Sequence, residues 1–380
     1  MIIIKKKRQV IYLICYSFIM QDKTTVQAQM FANRLRKRFR HLKKWAQRGN
    51  IGAFRLYDRD IPEIPLVLDF YVDCNLPCEA ALCGSLYKRP YEKDAAEEEY
   101  WLSVMKDSAS FALGIKHENI FIKQRQKQKG LSQYEKLGNS CYEKIIKEGN
   151  LLFKVNLSDY LDTGLFIDRR LLRDMVRNES NGKKVLNLFS YTGAFSVCAA
   201  AGGAVLTDSV DLSNTYLNWA QENFLLNGYK AALQKNSRKD AEAQRTQSCN
   251  SISCRNPHKL LKGDVLEYIK NAVKNKRQWD IIIVDPPAFS NSKKMSDNFD
   301  LNRDLEKLLT HCLMLLSPNG KIFVSVNLRR SAPEAHELEE KLRNSSGYAN
   351  LKITDISARI TDEDFTGKKM PKAFFIDKIQ

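Results

Sequence analysis

Hydrophobic positions recur along the chain at two spacings, and the change from one to the other divides it. From Thr25 to about Arg48 the apolar residues Met30, Phe31, Leu35, Phe39, Leu42 and Trp45 return near every third or fourth position. That spacing predicts an amphipathic helix, ended at Gly49. Short β-like runs follow at 53–57, 65–72 and 85–88, then a helical pattern over about 93–113 and strands near 119–123, 141–147 and 150–156. Strands, a helix and strands again describe a small α+β domain over 25–156. From 157 to 380 the pattern alternates. A helix at about 168–178 leads into strand 184–189, followed by strand 204–210, helix 213–226, strand 258–262, helix 264–274 and strand 279–285. Helix 300–316, strand 319–326, helix 333–344 and strands 350–357 and 372–379 complete the series, with breaks at Asn319-Gly320 and Asn344-Ser345-Ser346-Gly347. Seven strands in this order predict an α/β, doubly wound sheet that ends in an antiparallel hairpin. The polar stretch 230–257 fits neither spacing. It far exceeds the roughly 2–6 residues of a βα connection and reads as a disordered insertion.

Charge adds a partner to this picture. The 380 residues carry a formal net charge of +17, and residues 1–60 alone hold 15 Lys and Arg against 3 Asp and Glu. So uneven an excess points to a polyanion, RNA or DNA phosphate. Arg34, Arg36, Arg38 and Lys43 on the first helix, with Lys123, Arg125, Lys127 and Lys129, are the candidate phosphate contacts, expected to form one positive surface. Nine irregularly spaced cysteines read as reduced thiols of a cytoplasmic protein. Cys74, Cys78 and Cys83, and Cys249 and Cys254 near His258, lack paired ligand spacing, so no metal is expected. Lys5-Lys6-Lys7-Arg8 and the apolar stretch from Val10 to Met20 imitate a signal peptide. About eleven apolar residues are too few to span a bilayer, and no cleavage site follows. Residues 1–24 therefore read as a tail, with a reading frame over-extended upstream of a start at Met20 as the alternative, and no membrane partner is expected.

The chemistry lies at four strand ends. In the first βα turn, Ser190, Tyr191, Thr192 and Gly193 follow an apolar strand, and glycine permits a close approach of backbone to ligand. The turn is not GxGxxG, which argues against a nicotinamide or flavin site. Asp211 ends the second strand, ahead of Leu212 and Ser213, where a carboxylate can accept both ribose hydroxyls or simply cap the next helix. Asp264, followed by Val265, can take an adenine amino proton or cap its own helix. Asp285-Pro286-Pro287-Ala288-Phe289 is the most specific element. Two prolines stiffen the loop just past a strand end, and Phe289 can stack on a base. These elements point to methyl transfer from S-adenosylmethionine. Pyrimidine C5 methylation needs a cysteine nucleophile, and none stands in the loop after Asp285 or in Val324-Ser325-Val326-Asn327. Guanine N7 already offers a lone pair, so positioning suffices. An exocyclic guanine or adenine amine remains a rival acceptor, and a non-catalytic RNA-binding or assembly factor a rival of another class.

Several long strings carry a family resemblance: AQMFANRLRK at 28–37, RLYDRDIPE at 55–63, QKGLSQYEKLG at 128–138, NLSDYLDTGLFIDRR at 156–170, NLFSYTGAFSV at 187–197, VDLSNTYLNWAQENFLLNG at 210–228 and DPPAFSNSKKM at 285–295. The chain resembles the K half of the bacterial bifunctional large-subunit rRNA methyltransferases K/L, within the class I methyltransferases. The resemblance implies a Rossmann-like class I methyltransferase sheet of seven strands preceded by a small α+β domain. It implies S-adenosylmethionine as cofactor, and 23S rRNA or a large-subunit precursor as partner, methylated at guanine N7. It places the Asp162–Arg169 stretch, with Asp168 and Arg169, over the cofactor, and the Lys123–Tyr134 stretch near RNA. Two departures stand out. The L half with its RNA-binding module is absent, and Val326-Asn327-Leu328-Arg329-Arg330 replaces the family's Asn-Asn-Lys-Arg run.

Overall fold

The computed structural model describes residues 2–380 apart from 77–78, 90, 92, 125–137, 139, 235–255, 291–298, 329–331, 349, 369 and 379–380; for 2–22, 124 and 290 it describes the backbone alone. The chain divides into two compact units, 1–128 with 146–149, and 129–145 with 150–380.

In the first unit, α1 (Ile2–Arg48) starts well before the expected position near 25. Neither proline nor glycine interrupts the sequence until Gly49, so nothing local stops the helix. Phe31, Leu35, Leu42 and Ala46 form its buried face. They share a core with a four-stranded sheet ordered β1 (Ala53–Asp58), β2 (Leu66–Val72), β3 (Ala80–Leu86) and β4 (Ile120–Gln124). The first three strands are antiparallel and β4 runs parallel to β3. The crossover is α2 (Ala95–Leu113), capped by the Asp94 carboxylate and ended by Gly114 in the left-handed region. β3 begins five residues earlier than its apolar signal. A Cβ on Gly84 would lie 2.0 Å from the Val67 carbonyl oxygen, so close strand approach demands the small residue that hides the strand. Where the chain passes from the first unit to the second, β5 (Glu143–Glu148) and β6 (Leu151–Asn156) make a two-stranded sheet.

The second unit follows the expected alternation. Its elements are α3 (Arg170–Glu179), β7 (Lys184–Leu188), α4 (Ala194–Ala201), β8 (Leu206–Asp211), α5 (Asn214–Leu226), β9 (Ala231–Gln234), β10 (His258–Lys262) and α6 (Val265–Lys274). Next come β11 (Trp279–Val284), the two-residue strands β12 (Phe289–Ser290) and β13 (Phe299–Asp300), α7 (Leu301–Met314), β14 (Leu316–Val326), α8 (Ala335–Ser346), β15 (Leu351–Asp355) and β16 (Lys372–Lys378). The sheet order is β15-β16-β14-β11-β7-β8-β10-β9, parallel from β14 to β9, with β16 antiparallel to both neighbours. Eight strands replace the expected seven. The extra one, β9, is four residues long and falls in the stretch read as an insertion, too short for any alternation to show. The rest of that stretch, with Cys249 and Cys254, lies outside the described residues, as does Cys78.

β11 is a continuous apolar run because both its faces are covered. Ile282 and Val284 pack with Leu305 and Leu309 of α7, while Ile281 and Ile283 pack with Leu172 and Val176 of α3 and Phe195 of α4. The strand order reverses between β7 and β11, opening a crevice at their carboxyl ends. At the far edge, side chains of α8 meet the outward backbone groups of β15. Ile353 N–H donates to Glu339 Oε2 (2.8 Å), and Arg343 Nη2 donates to the Leu351 carbonyl (2.9 Å). Among the described residues no helix is long and apolar enough to cross a membrane.

Candidate functional site

The turn after β7 is tightly wound. Phe189, Tyr191 and Gly193 all lie in the left-handed region, at φ 55°, 51° and 72°. Glycine adopts this freely; for the other two it costs on the order of 1–2 kcal/mol each. Hydrogen bonds hold the shape. Ser190 N–H donates to the Val210 carbonyl (3.0 Å), and Thr192 Oγ1 donates to the Gly164 carbonyl (2.6 Å). Asn223 Nδ2 donates to the Thr192 carbonyl (2.9 Å). The Tyr191 ring packs against Phe166 (5.2 Å between centroids) and edge-on to Tyr216 (4.4 Å). Gly164 has no room for a Cβ, which would stand 2.2 Å from the Trp219 ring. Phe166, Tyr216 and Trp219 shape this corner, yet none carries a strand-end signal in the sequence.

Asp211 ends β8 beside that turn. Its Oδ2 accepts from Tyr191 N–H and its Oδ1 from Ser213 N–H, both at 2.9 Å. Burial pushes its carboxyl up to about 6, although the backbone donors of Ser213, Tyr191 and Leu212 oppose the shift. Gly263 N–H donates to the Asp211 carbonyl (3.0 Å), which joins the ends of β8 and β10 and brings Asp264 alongside. Asp264 caps α6 by accepting from Glu267 N–H (3.0 Å), and Val265 is buried in the core. Ser213 caps α5 through Tyr216 N–H.

These residues fit an adenosyl cofactor. The two oxygens of Asp211 could accept vicinal hydroxyls, and the Ser190 hydroxyl is buried without a hydrogen-bond partner, a cost that a polar ligand would relieve. Cofactor affinity should therefore depend on pH. Ribose hydroxyls held by Asp211 would donate to the ionised carboxylate, so affinity should be full above about pH 7 and fall through pH 6. By pH 5 it should be about tenfold weaker, the ionised fraction of a group titrating near 6. Calorimetry with S-adenosylhomocysteine across that range checks it. The unliganded chain has the opposite sign. With the folded carboxyl raised above its ordinary 3.8, Asp211 favours the fold below about pH 4, and that contribution is lost as pH rises through 6.

Asp285 follows the end of β11, where Arg169 grips it. Arg169 Nε lies 3.3 and 3.2 Å from the two carboxylate oxygens, and Nη2 is 3.2 Å from Oδ1. The same guanidinium donates through Nη1 to Asp168 (2.8 Å). Arg169 is buried and bridges two partly exposed carboxylates, so the three side chains together keep one negative charge. Arg170, next in the chain, turns to Asp362 (2.6 Å) and to the fully buried Asp364 (3.3 Å), which ties the loop before β16 to the start of α3. Pro286 is buried and Pro287 half-buried. Phe289 is 45% exposed while its backbone pairs with Asp300, an aromatic face on an anchored strand. The motifs foresaw Asp285 and its prolines but not the Arg169 grip. Asp208 is buried within β8 and accepts from Arg277 Nη2 (2.8 Å) and Trp279 Nε1 (3.0 Å).

The basic candidates of the first unit separate. Arg34 is turned to Asp60 (2.7 Å). Arg36 lies over the Phe111 ring, Lys43 over Phe39, and Arg38 is half-buried. Lys123 sits on β4 opposite Ser85. Arg125, Lys127 and Lys129 lie outside the described residues. Among the described residues, no group of three or more His, Cys, Asp or Glu side chains is arranged to hold a metal.

Known proteins share this sequence and fold. A family model for S-adenosylmethionine-dependent methyltransferases matches residues 81–243. Ribosomal RNA large subunit methyltransferase K of Neisseria meningitidis serogroup B is 41% identical over 361 residues, covering 95% of this chain and 90% of that protein. Ribosomal RNA large subunit methyltransferase K/L of Shewanella loihica is 40% identical over 82% of this chain, which spans only 39% of that longer protein. Among solved structures, a methyltransferase complexed with SAH aligns with a TM-score of 0.62 at 25% identity, over 92% of this chain and 81% of its own. A methyltransferase from Streptococcus mutans aligns over the same shares, with a TM-score of 0.63 at 23% identity, and so shares the fold.

Proposed function

The chain belongs to the family of ribosomal RNA large subunit methyltransferases K, and from that premise we propose that it methylates guanine N7 in large-subunit (23S) rRNA. S-adenosylmethionine is the methyl donor, and when bound it supplies a methyl group made electrophilic by its sulfonium. The rest is the work of this chain's residues. Asp211 and the 190–193 turn orient the nucleoside end of the donor. The Pro286-Pro287 loop fixes a base edge, and Phe289 offers an exposed ring on which the base stacks.

The observation that carries N7 over an amine is the state of Asp285. Both oxygens of this carboxylate are committed to the buried Arg169 guanidinium through three contacts. Methylating an exocyclic amine releases a proton that some group must take. N7 presents a lone pair and releases none, so it makes no demand on an Asp285 that Arg169 already holds.

Incubation with labelled S-adenosylmethionine and undermethylated large-subunit rRNA should yield N7-methylguanosine by mass spectrometry of the digest. Borohydride and aniline should then cleave the strand at the modified base. Recovery of N2-methylguanosine or a methylated adenine, with no cleavable site, would overturn N7. Phe289→Ala should lower kcat by roughly ten- to a hundredfold while S-adenosylhomocysteine affinity stays constant, because alignment suffers and the ribose contacts do not.

A further inference from the structure

Phe111, near the carboxyl end of α2, is 82% exposed, more than any other large hydrophobic side chain among the described residues. It stands off the buried face of its helix, which is made by Trp101, Met105 and Ala109. Core packing therefore does not explain it. The Arg36 guanidinium of α1 lies over its ring, 5.4 Å from the centroid, and Arg36 Nη1 also donates to Asn33 Oδ1 (3.3 Å). Lys37, Arg40 and Lys44 of the same helix are exposed. An open aromatic face beside a guanidinium, on a unit whose leading helix presents cations, has the two parts that an unpaired nucleotide requires. The ring takes the base and the cations take the phosphates. Double-stranded RNA keeps its base faces stacked on one another and cannot use the ring.

We propose that Phe111 and Arg36 form a stacking platform for an unpaired base of the RNA substrate, with the exposed cations of α1 supplying phosphate contacts. The proposal deepens the rRNA reading above and rests on it. It adds that docking selects a single-stranded or bulged nucleotide, through a residue remote in sequence from the methyl-transfer motifs.

The test uses the full chain and a fluorescein-labelled single-stranded oligoribonucleotide, alone or annealed to its complement. Phe111→Ala should weaken single-strand binding on the order of tenfold and leave duplex binding and S-adenosylhomocysteine affinity as in the wild type. Phe111→Trp should restore binding and show an added fluorescence quench with the single strand, whereas Phe111→Leu should not restore it. Equal affinities for wild type and Phe111→Ala would overturn the platform, as would a Phe111→Trp variant that is not quenched. If Phe111→Ala instead abolishes self-association seen by sedimentation, the ring belongs to a protein contact and the proposal falls. A wild-type chain that transfers no methyl to rRNA defeats the functional reading itself. One that does, with Phe111 indifferent to the single strand, defeats only this inference.

Discussion

Arg169→Ala should cost the second unit about 1–3 kcal/mol, less than for a fully buried pair because the stranded Asp285 and Asp168 are only partly buried. Asp285 and Asp168 would lose the guanidinium that each contacts, and Asp285 would lose all three of its Arg169 contacts. For a unit of this size the loss corresponds to a fall in Tm of roughly 2–12 °C, read by calorimetry. Arg169→Lys should recover only part of it, because an ammonium cannot reproduce a planar fork that spans two acids. Methyl transfer should fall with both substitutions, since the Asp285-Pro286-Pro287 loop takes its aim from this grip. A Tm within a degree of wild type for Arg169→Ala would show that solvent, not Arg169, compensates these acids.

Asp211→Ala should weaken S-adenosylhomocysteine binding by about 1.5–3 kcal/mol, the range for hydrogen bonds to a charged group. The carboxylate also receives the N–H groups of Tyr191 and Ser213, so alanine releases the wound turn as well as the ribose contact. Asp211→Asn separates the two effects. An amide oxygen still accepts one backbone N–H and holds much of the turn, but it lacks the second acceptor and the charge. It should lie between wild type and alanine. Calorimetry on the three proteins at pH 7.5 measures the order, and unchanged affinity in the alanine variant would remove Asp211 from the site.

What could be foreseen here was what neighbours in sequence determine. Asp211, Asp264 and Asp285 sit where an apolar run meets a polar group, so strand and strand end were visible together. The parallel order followed from the alternation of periods. Arg169 was visible as a residue of a resembling string, but its partner is 116 residues away, and only the fold could join them. Arg170 with Asp362 and Asp364 is hidden for the same reason at still greater distance. β3 and β9 were obscured by composition instead. The first needs a glycine where strands crowd, and the second is too short to display a period. The length of α1 was underestimated because charge and apolarity in 1–24 suggested a detachable tail, while helix propensity alone permits continuation.

The two margins of the large sheet are unequal. At β15 the outward N–H of Ile353 and carbonyl of Leu351 are already occupied by Glu339 and Arg343, which themselves form an ion pair (2.7 Å). An unpaired strand is an invitation to any passing strand, from another copy or from a partly folded neighbour. Here that invitation is withdrawn by two side chains one helical turn apart. The opposite margin limits such pairing by length instead, because its edge strand is only four residues long. That is where this chain carries β9, one strand beyond the seven expected, and directly after it the 235–255 stretch.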